Sequence, residues 1–243
     1  MTARFSRGGR AALPAARFHL AELSAPLAAL GDEAARLDGW GRRLADVLVR
    51  GGRLLAAGNG GSASQATHLT AEIVGRYRDD RPPFSALALC AESSAVTAIG
   101  NDYGIEEIFA RQVRGHGRPG DVLIALSTSG LSPNVLAAVD AADEAGIVTW
   151  GLTGRPGNPL AERCDDALCV DSPHTATIQE IHLIAIHLIC ASFDQALELA
   201  ASDAGQPVAR GGARGRSAAS EASQRVAVGG AAGPPDAARG VAP

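Results

Sequence analysis

The sequence predicts an α/β protein: a three-layer α/β/α sandwich around a mostly parallel, doubly wound sheet, with an N-terminal helical hairpin ahead of it. Three observations predict it. Short continuous apolar runs alternate with segments of helical period, the pattern of a parallel sheet covered on both faces. Two turns, Gly58-Asn59-Gly60-Gly61-Ser62 and Ser127-Thr128-Ser129-Gly130, each follow such a run and lead into a helical pattern. A chain of 243 residues also suffices for one sizeable core with tails.

Residues 1–16 lack periodicity and read as a disordered extension, residues 17–200 as the domain, and residues 201–243 as a disordered Ala/Gly/Pro-rich tail too poor in large apolar side chains to offset the entropy of ordering it. From His19 to Val49 apolar residues recur at helical spacing with a break near Gly31-Asp32, which predicts the two-helix hairpin. Arg53 to Ala57 is a strand, and Ser62 to Val74 a helix. Phe84 to Cys90 is strand-like, with helices over Glu92 to Ile99 and Glu106 to Gly115. Val122 to Leu126 is a buried strand, Pro133 to Ala145 a helix opened by Ser132, and Val148 to Leu152 and Ala167 to Val170 are strands. Ala176 to Leu199 closes the domain as one long helix.

A formal charge of −4 and a pI near 5.9 leave no global basic field for nucleic acid or an anionic membrane, so any phosphate site must be local. Arg4, Arg7 and Arg10 are not followed by an apolar signal-peptide core, and no stretch of about twenty apolar residues stands out. The expectation is a cytoplasmic protein with no membrane and no nucleic-acid partner. Cys90, Cys164, Cys169 and Cys190 have no Cys-x-x-Cys spacing and read as buried free thiols.

In open parallel sheets ligands bind beyond the carboxyl ends of the strands, where both glycine-serine turns fall. Gly58, Gly60 and Gly61 allow close backbone approach, and Ser62 stands at a helix start whose free N–H groups favour an anion. The second turn offers the hydroxyls of Ser127, Thr128, Ser129 and Ser132 before another helix. Neither turn is a Walker loop or a Gly-x-Gly-x-x-Gly fingerprint, which disfavours nucleotides.

Six segments stand in order along the chain: Gly58-Asn59-Gly60-Gly61-Ser62, His68-Leu69-Thr70-Ala71-Glu72, Gly75-Arg76-Tyr77-Arg78, Gly100-Asn101-Asp102-Tyr103-Gly104, Ser127-Thr128-Ser129-Gly130, and Ile178-Gln179-Glu180-Ile181-His182 followed by His187. Together they resemble the sugar isomerase (SIS) domains, and among them the phosphoheptose (sedoheptulose 7-phosphate) isomerases. The resemblance implies a homotetramer with active sites at subunit interfaces and interconversion of sedoheptulose 7-phosphate with D-glycero-D-manno-heptose 7-phosphate. It implies Glu72 and His187 as the catalytic acid/base pair, and His68, Glu72, Gln179 and His187 as ligands of one Zn²⁺ per subunit. It assigns Gly60, Gly61, Ser62, Ser127, Thr128, Ser129 and Ser132 to phosphate, and Asn59, Glu72, Arg76, Asn101, Asp102 and Gln179 to the sugar and its surroundings. Asp102 also suits a turn cap, Arg76 a charged helix end, and His182 a packing role.

The spacing agrees with that chemistry. Isomerising a ketose to an aldose needs titratable groups facing each other across the sugar. His68 and Glu72, four apart, share one helix face; Gln179 and His187, eight apart, fall within about 80° of each other on the last helix. Two imidazoles, a carboxylate and an amide oxygen are a plausible zinc set. Two features depart from the family pattern: Ala176 and Thr177 stand where relatives often carry Asp and Arg, and Ser64-Gln65-Ala66-Thr67 differs from familiar versions. The competing expectation is a non-catalytic SIS-domain binding protein of the replication-initiator-associated type. Those relatives lack the Glu and the final-helix His present here as Glu72 and His187.

Overall fold

The computed structural model describes residues 14–203; the expectations for the tails beyond them lie outside the described residues. The elements run α1 (Ala15–Asp32), α2 (Ala34–Val49), β1 (Leu54–Gly58), α3 (Gly61–Val74), β2 (Ala86–Ala88), α4 (Ser93–Tyr103), α5 (Glu107–His116), β3 (Val122–Ser127), α6 (Pro133–Glu144), β4 (Val148–Thr153), α7 (Pro159–Arg163), β5 (Asp166–Cys169) and α8 (Thr175–Asp203).

All five strands are parallel, in the order β2-β1-β3-β4-β5. Every residue of β1 and β3 is buried, and successive side chains feed opposite cores, as the two-residue period of a strand requires. Leu54, Ala56, Val122, Ile124 and Leu126 join the core under α2, α3 and α8. Leu55, Ala57, Leu123 and Ala125 join a second core under α5 and α6. This is the expected three-layer sandwich. The chain leaves β1 toward β2 but leaves β3 toward β4, so the winding reverses between two neighbouring strands, with Gly58 paired to Leu126 at their carboxyl ends. Such a reversal opens a crevice there, and both glycine-serine turns border it.

Local chemistry explains several boundaries. The expected N-terminal helical pair is joined by a single residue: Glu33 links α1 to α2 with angles φ −90°, ψ −1°, and its N–H bonds to Leu30 O. The pair thus breaks after Gly31-Asp32. It is pinned where Trp40 stacks on Trp150 (4.9 Å between centroids) and donates from Nε1 to Asp166 at 2.8 Å. Glu92 caps α4, its carboxylate accepting from Ser94 N at 3.1 Å and from Ala95 N. α4 runs on to Tyr103, so Asn101 and Asp102 are helical and Asp102 caps no turn. β2 keeps only three of the residues read as a strand between Phe84 and Cys90. α7, too short to show a period, was not legible; Asn158 caps it and Pro159 opens it.

α8 holds no unbroken run of about twenty apolar residues, being interrupted by Gln179, Glu180, His182, His187 and Asp194, although between Thr175 and Ser202 it is long and apolar enough on average to cross a membrane. In the fold it is a core helix: Ile178, Ile181, Ala185, Ile186, Ile189 and Phe193 are buried, and Glu180, His182, His187 and Asp194 each bond to another element or loop of the domain. All four cysteines are free; Cys190 is buried and the other three half-buried. Burial first, then the nearby Glu72 and Asp194 carboxylates, push the Cys190 thiol up to about 12.

Candidate active site

Gly60 caps α3 with φ +54°, a conformation that favours glycine, and turns the chain so that Ser62 and Ala63 donate their N–H groups to Asn59 O at 3.0 and 3.3 Å. In the second turn Ser127 Oγ lies 3.0 Å from Ser132 Oγ and 3.4 Å from Ser129 Oγ, and accepts from Gly130 N at 3.2 Å. Ser129 Oγ accepts from Leu131 N. These hydroxyls gather at the start of α6, where Ser132 occupies the cap position. The crevice therefore offers hydroxyl and amide groups of the kind that can bind a phosphate. Two amides clamp the turns together, Asn59 Nδ2 to Asn134 Oδ1 at 2.8 Å and Asn134 Nδ2 to Asn59 Oδ1 at 2.9 Å.

The second turn is also braced from behind. Thr153 Oγ1 donates toward Ser127 O (2.8 Å) and Asn158 Oδ1 (3.2 Å), and a methyl group on Gly130 would lie 1.9 Å from Asn158 Oδ1. Gly130 has φ +66°. His182, fully buried, reaches Thr153 O from Nε2 at 3.0 Å. A carbonyl only accepts, so Nε2 carries a proton. Burial holds its pKa down at about 4.

Glu72, His68 and His187 converge beside the crevice. His68 Nε2 lies 3.0 Å from His187 Nε2 and 3.4 Å from Glu72 Oε1. One nitrogen, or one carboxylate oxygen, from each of the three falls within 4.8 Å of the others, all half-buried. Tetrahedral zinc with bonds of about 2.0–2.1 Å spaces its ligands about 3.3 Å apart, so the chemistry and spacing of this donor set suit such an ion. Tyr77 packs on His187 with ring centroids 5.5 Å apart. Gln179, the fourth expected ligand, has its amide against Gly61: a methyl there would meet Nε2 at 2.3 Å. Gln65 Nε2 donates to Gln179 O and ties α3 to α8 at that end.

The structure therefore brings Asn59, Gly60, Gly61, Ser62 and Gln179 around the first turn, Ser127, Thr128, Ser129 and Ser132 into the second, and His68, Glu72 and His187 into one cluster. Arg76, Asn101 and Asp102 are exposed and bond locally, Arg76 to Arg78 O and Asn101 to Asp102. Sequence reasoning missed Asn134, Thr153, Asn158 and Gln65. Each acts through a partner far along the chain or in an unpredicted element, and no local motif signals such a pair.

Hydroxyl-rich turns at a switch point beside a His/Glu/His cluster are chemistry that suits a phosphorylated sugar and acid/base work on it. The model of the SIS domain matches residues 20–154, and the chain belongs to this family, as a phosphoheptose isomerase. The phosphoheptose isomerase of Streptomyces coelicolor is 64% identical over 180 residues, covering 74% of this chain and 78% of that protein. Among solved structures, a phosphoheptose isomerase from Neisseria gonorrhoeae matches with a TM-score of 0.68 at 40% identity, covering 74% of this chain and 97% of the other. One from Francisella tularensis matches at 0.67 and 32%, covering 75% and 100%.

Proposed function

We propose that the chain isomerises sedoheptulose 7-phosphate to D-glycero-D-manno-heptose 7-phosphate for nucleotide-activated heptose synthesis. The observation that carries this is the placement of Glu72 and His187 on different helices, brought together by His68 beside the phosphate cradle. The phosphate is held by Ser62 and the Ser127–Ser132 turn, which leaves the sugar's carbonyl end between α3 and α8. One of Glu72 and His187 takes a proton from C1 of the ketose. The C1–H electrons form the C1=C2 bond of an enediol while the C2 oxygen gains a proton. Return of a proton to C2 and loss of one from the C1 hydroxyl leave the aldehyde. The two residues exchange base and acid roles between directions. Gln179, seated on Gly61, borders the path between the two ends.

His68, Glu72 and His187 would hold a Zn²⁺, with Gln179 as a further ligand; the ion would polarise the sugar oxygens at C1 and C2. Arg76, Asn101 and Asp102 are proposed to reach substrate in the assembled enzyme, a cytoplasmic homotetramer with sites at subunit interfaces. Their exposure, and that of the apolar side chains of Tyr103, Ile105 and Leu131, supports a covered face there. Incubating the purified protein with several ketose phosphates tests the reading. The expected product is an aldoheptose phosphate from sedoheptulose 7-phosphate alone; no turnover of that sugar, with or without added zinc, would overturn it.

A further inference from the structure

We propose that Arg81 and Asp194 form a positioning strut that sets the distance between the two helices carrying Glu72 and His187; the effect on turnover rests on the reaction proposed above. Arg81 Nε lies 2.8 Å from Asp194 Oδ1, and the Arg81 side chain is only 9% exposed. Its Nη2 donates to Glu72 O at 2.7 Å and its Nη1 to Ile73 O at 2.9 Å, with longer contacts to Pro82 O (3.2 Å) and Gly75 O (3.4 Å). The guanidinium is held 5.1 Å from the Phe193 ring centroid and 5.7 Å from that of Phe84.

These contacts complete α3 from outside. The last turn of α3 contains no basic residue, so its carbonyls would otherwise face the fold without a cation. Arg81 supplies that charge, and one carbonyl it takes belongs to Glu72 itself. At its other end the strut grips Asp194, seven residues after His187 and therefore on the same side of α8, two turns on. Cys190, on the intervening turn, is buried next to both Glu72 and Asp194. Among the described residues the buried Asp194 Oδ2 atom has no hydrogen-bond partner, and Arg81 is the group that compensates this carboxylate.

α3 and α8 are thus tethered twice. Gln65 and Gln179 join them near the phosphate end, and Arg81 and Asp194 join them beyond the His68/Glu72/His187 cluster. The phosphate turns hang on β1 and β3 and on the Asn59–Asn134 clamp, none of which touches Arg81. Loosening the strut should therefore shift Glu72 against His187 and leave phosphate binding intact. A displacement of about 1 Å in such a pair costs on the order of 100-fold in rate.

The test replaces the pair together, Arg81→Met with Asp194→Leu, because an apolar pair of similar volume avoids stranding one buried charge. Arg81→Lys is the second variant: it keeps the charge but lacks the planar fork that reaches Asp194 and two carbonyls at once. Thermal unfolding identifies folded protein. In the folded double variant kcat should fall roughly 10- to 100-fold with KM changed less than about threefold, and Arg81→Lys should fall between it and the wild type. Side-chain ¹⁵N NMR of the histidines, which needs no substrate, should show the His68 and His187 resonances moved and that of His182 in place. A folded variant with wild-type kcat and unmoved His68 and His187 signals overturns the strut, as does a rise in KM with kcat unchanged. Should the wild type itself turn over no sugar phosphate, the proposed reaction fails and the imidazole signals alone decide: moved signals uphold the strut, unmoved ones overturn it. If the double variant does not fold, Arg81→Lys is judged by the same readings.

Discussion

His182 should make the domain acid-labile. The ring is fully buried, its one hydrogen bond runs from Nε2 to Thr153 O, Nδ1 has no partner, and burial lowers its pKa from 6.5 to about 4. Above pH 6.5 the ring is neutral in folded and unfolded chains alike and costs nothing. As pH falls below 6.5 the unfolded chain takes up a proton that the folded chain refuses, so stability drops until the folded pKa is passed. A gap of about 2.5 units corresponds to a total loss of about 3.4 kcal/mol, of which about 1.4 kcal/mol is gone at pH 5.5 and about 2.5 kcal/mol at pH 4.5. Because carboxylates also respond to acid, the assay is the difference between wild type and His182→Leu in urea unfolding, at fixed protein concentration. At pH 7.5 the variant should be less stable by about 1–3 kcal/mol, having stranded Thr153 O. At pH 4.5 that deficit should have shrunk by about 2.5 kcal/mol. Two curves that stay parallel from pH 7.5 to pH 4.5 would refute a buried neutral imidazole.

Three further outcomes follow from the geometry of the turns and the cluster. Gly61→Ala drives a methyl into the end of the Gln179 side chain, a flexible group that can swing away, so unfolding should change by less than about 1 kcal/mol while kcat falls at least about tenfold; unaltered kinetics would remove Gln179 from the site. Gly130→Ala combines a left-handed backbone with a collision against Asn158, the cap of α7, and should cost about 2–3 kcal/mol in a thermal melt and raise KM for the sugar phosphate; an unchanged melt contradicts that bracing. His187→Ala should weaken Zn²⁺ binding at least about tenfold, measured by competition with a chelator, and equal affinity in both proteins would place the ion elsewhere.

What could be read from sequence here is what repeats at short range. The apolar runs at Leu54 and Val122 and the turns after them are local patterns, and the switch-point crevice follows from their being neighbours in a parallel sheet. His68 and Glu72 were legible because a helix turns four residues into one face. Their meeting with His187, 119 residues from His68, came from resemblance, since helical period fixes a face and not a partner. Glu33 illustrates the opposite limit: polar residues around Gly31 signal a break, but a one-residue joint that stays helical has no composition of its own. Arg81 stands in a charged stretch with Arg76, Arg78, Asp79 and Asp80 that carries no local sign of burial, yet its side chain is only 9% exposed, because Asp194 and the end of α3 converge on it. Asn158 and Asn134 were invisible for the same reason, their roles being defined by the loops they meet.

The account turns on proton transfer by Glu72 and His187, and the most direct measurement is the conversion of sedoheptulose 7-phosphate in D₂O followed by NMR. Wild-type protein should form the aldoheptose phosphate with deuterium at C2, and Glu72→Gln and His187→Asn, each folded, should form it at least about 100-fold more slowly. Product appearing from Glu72→Gln at the wild-type rate and with the same deuterium content would contradict the central claim.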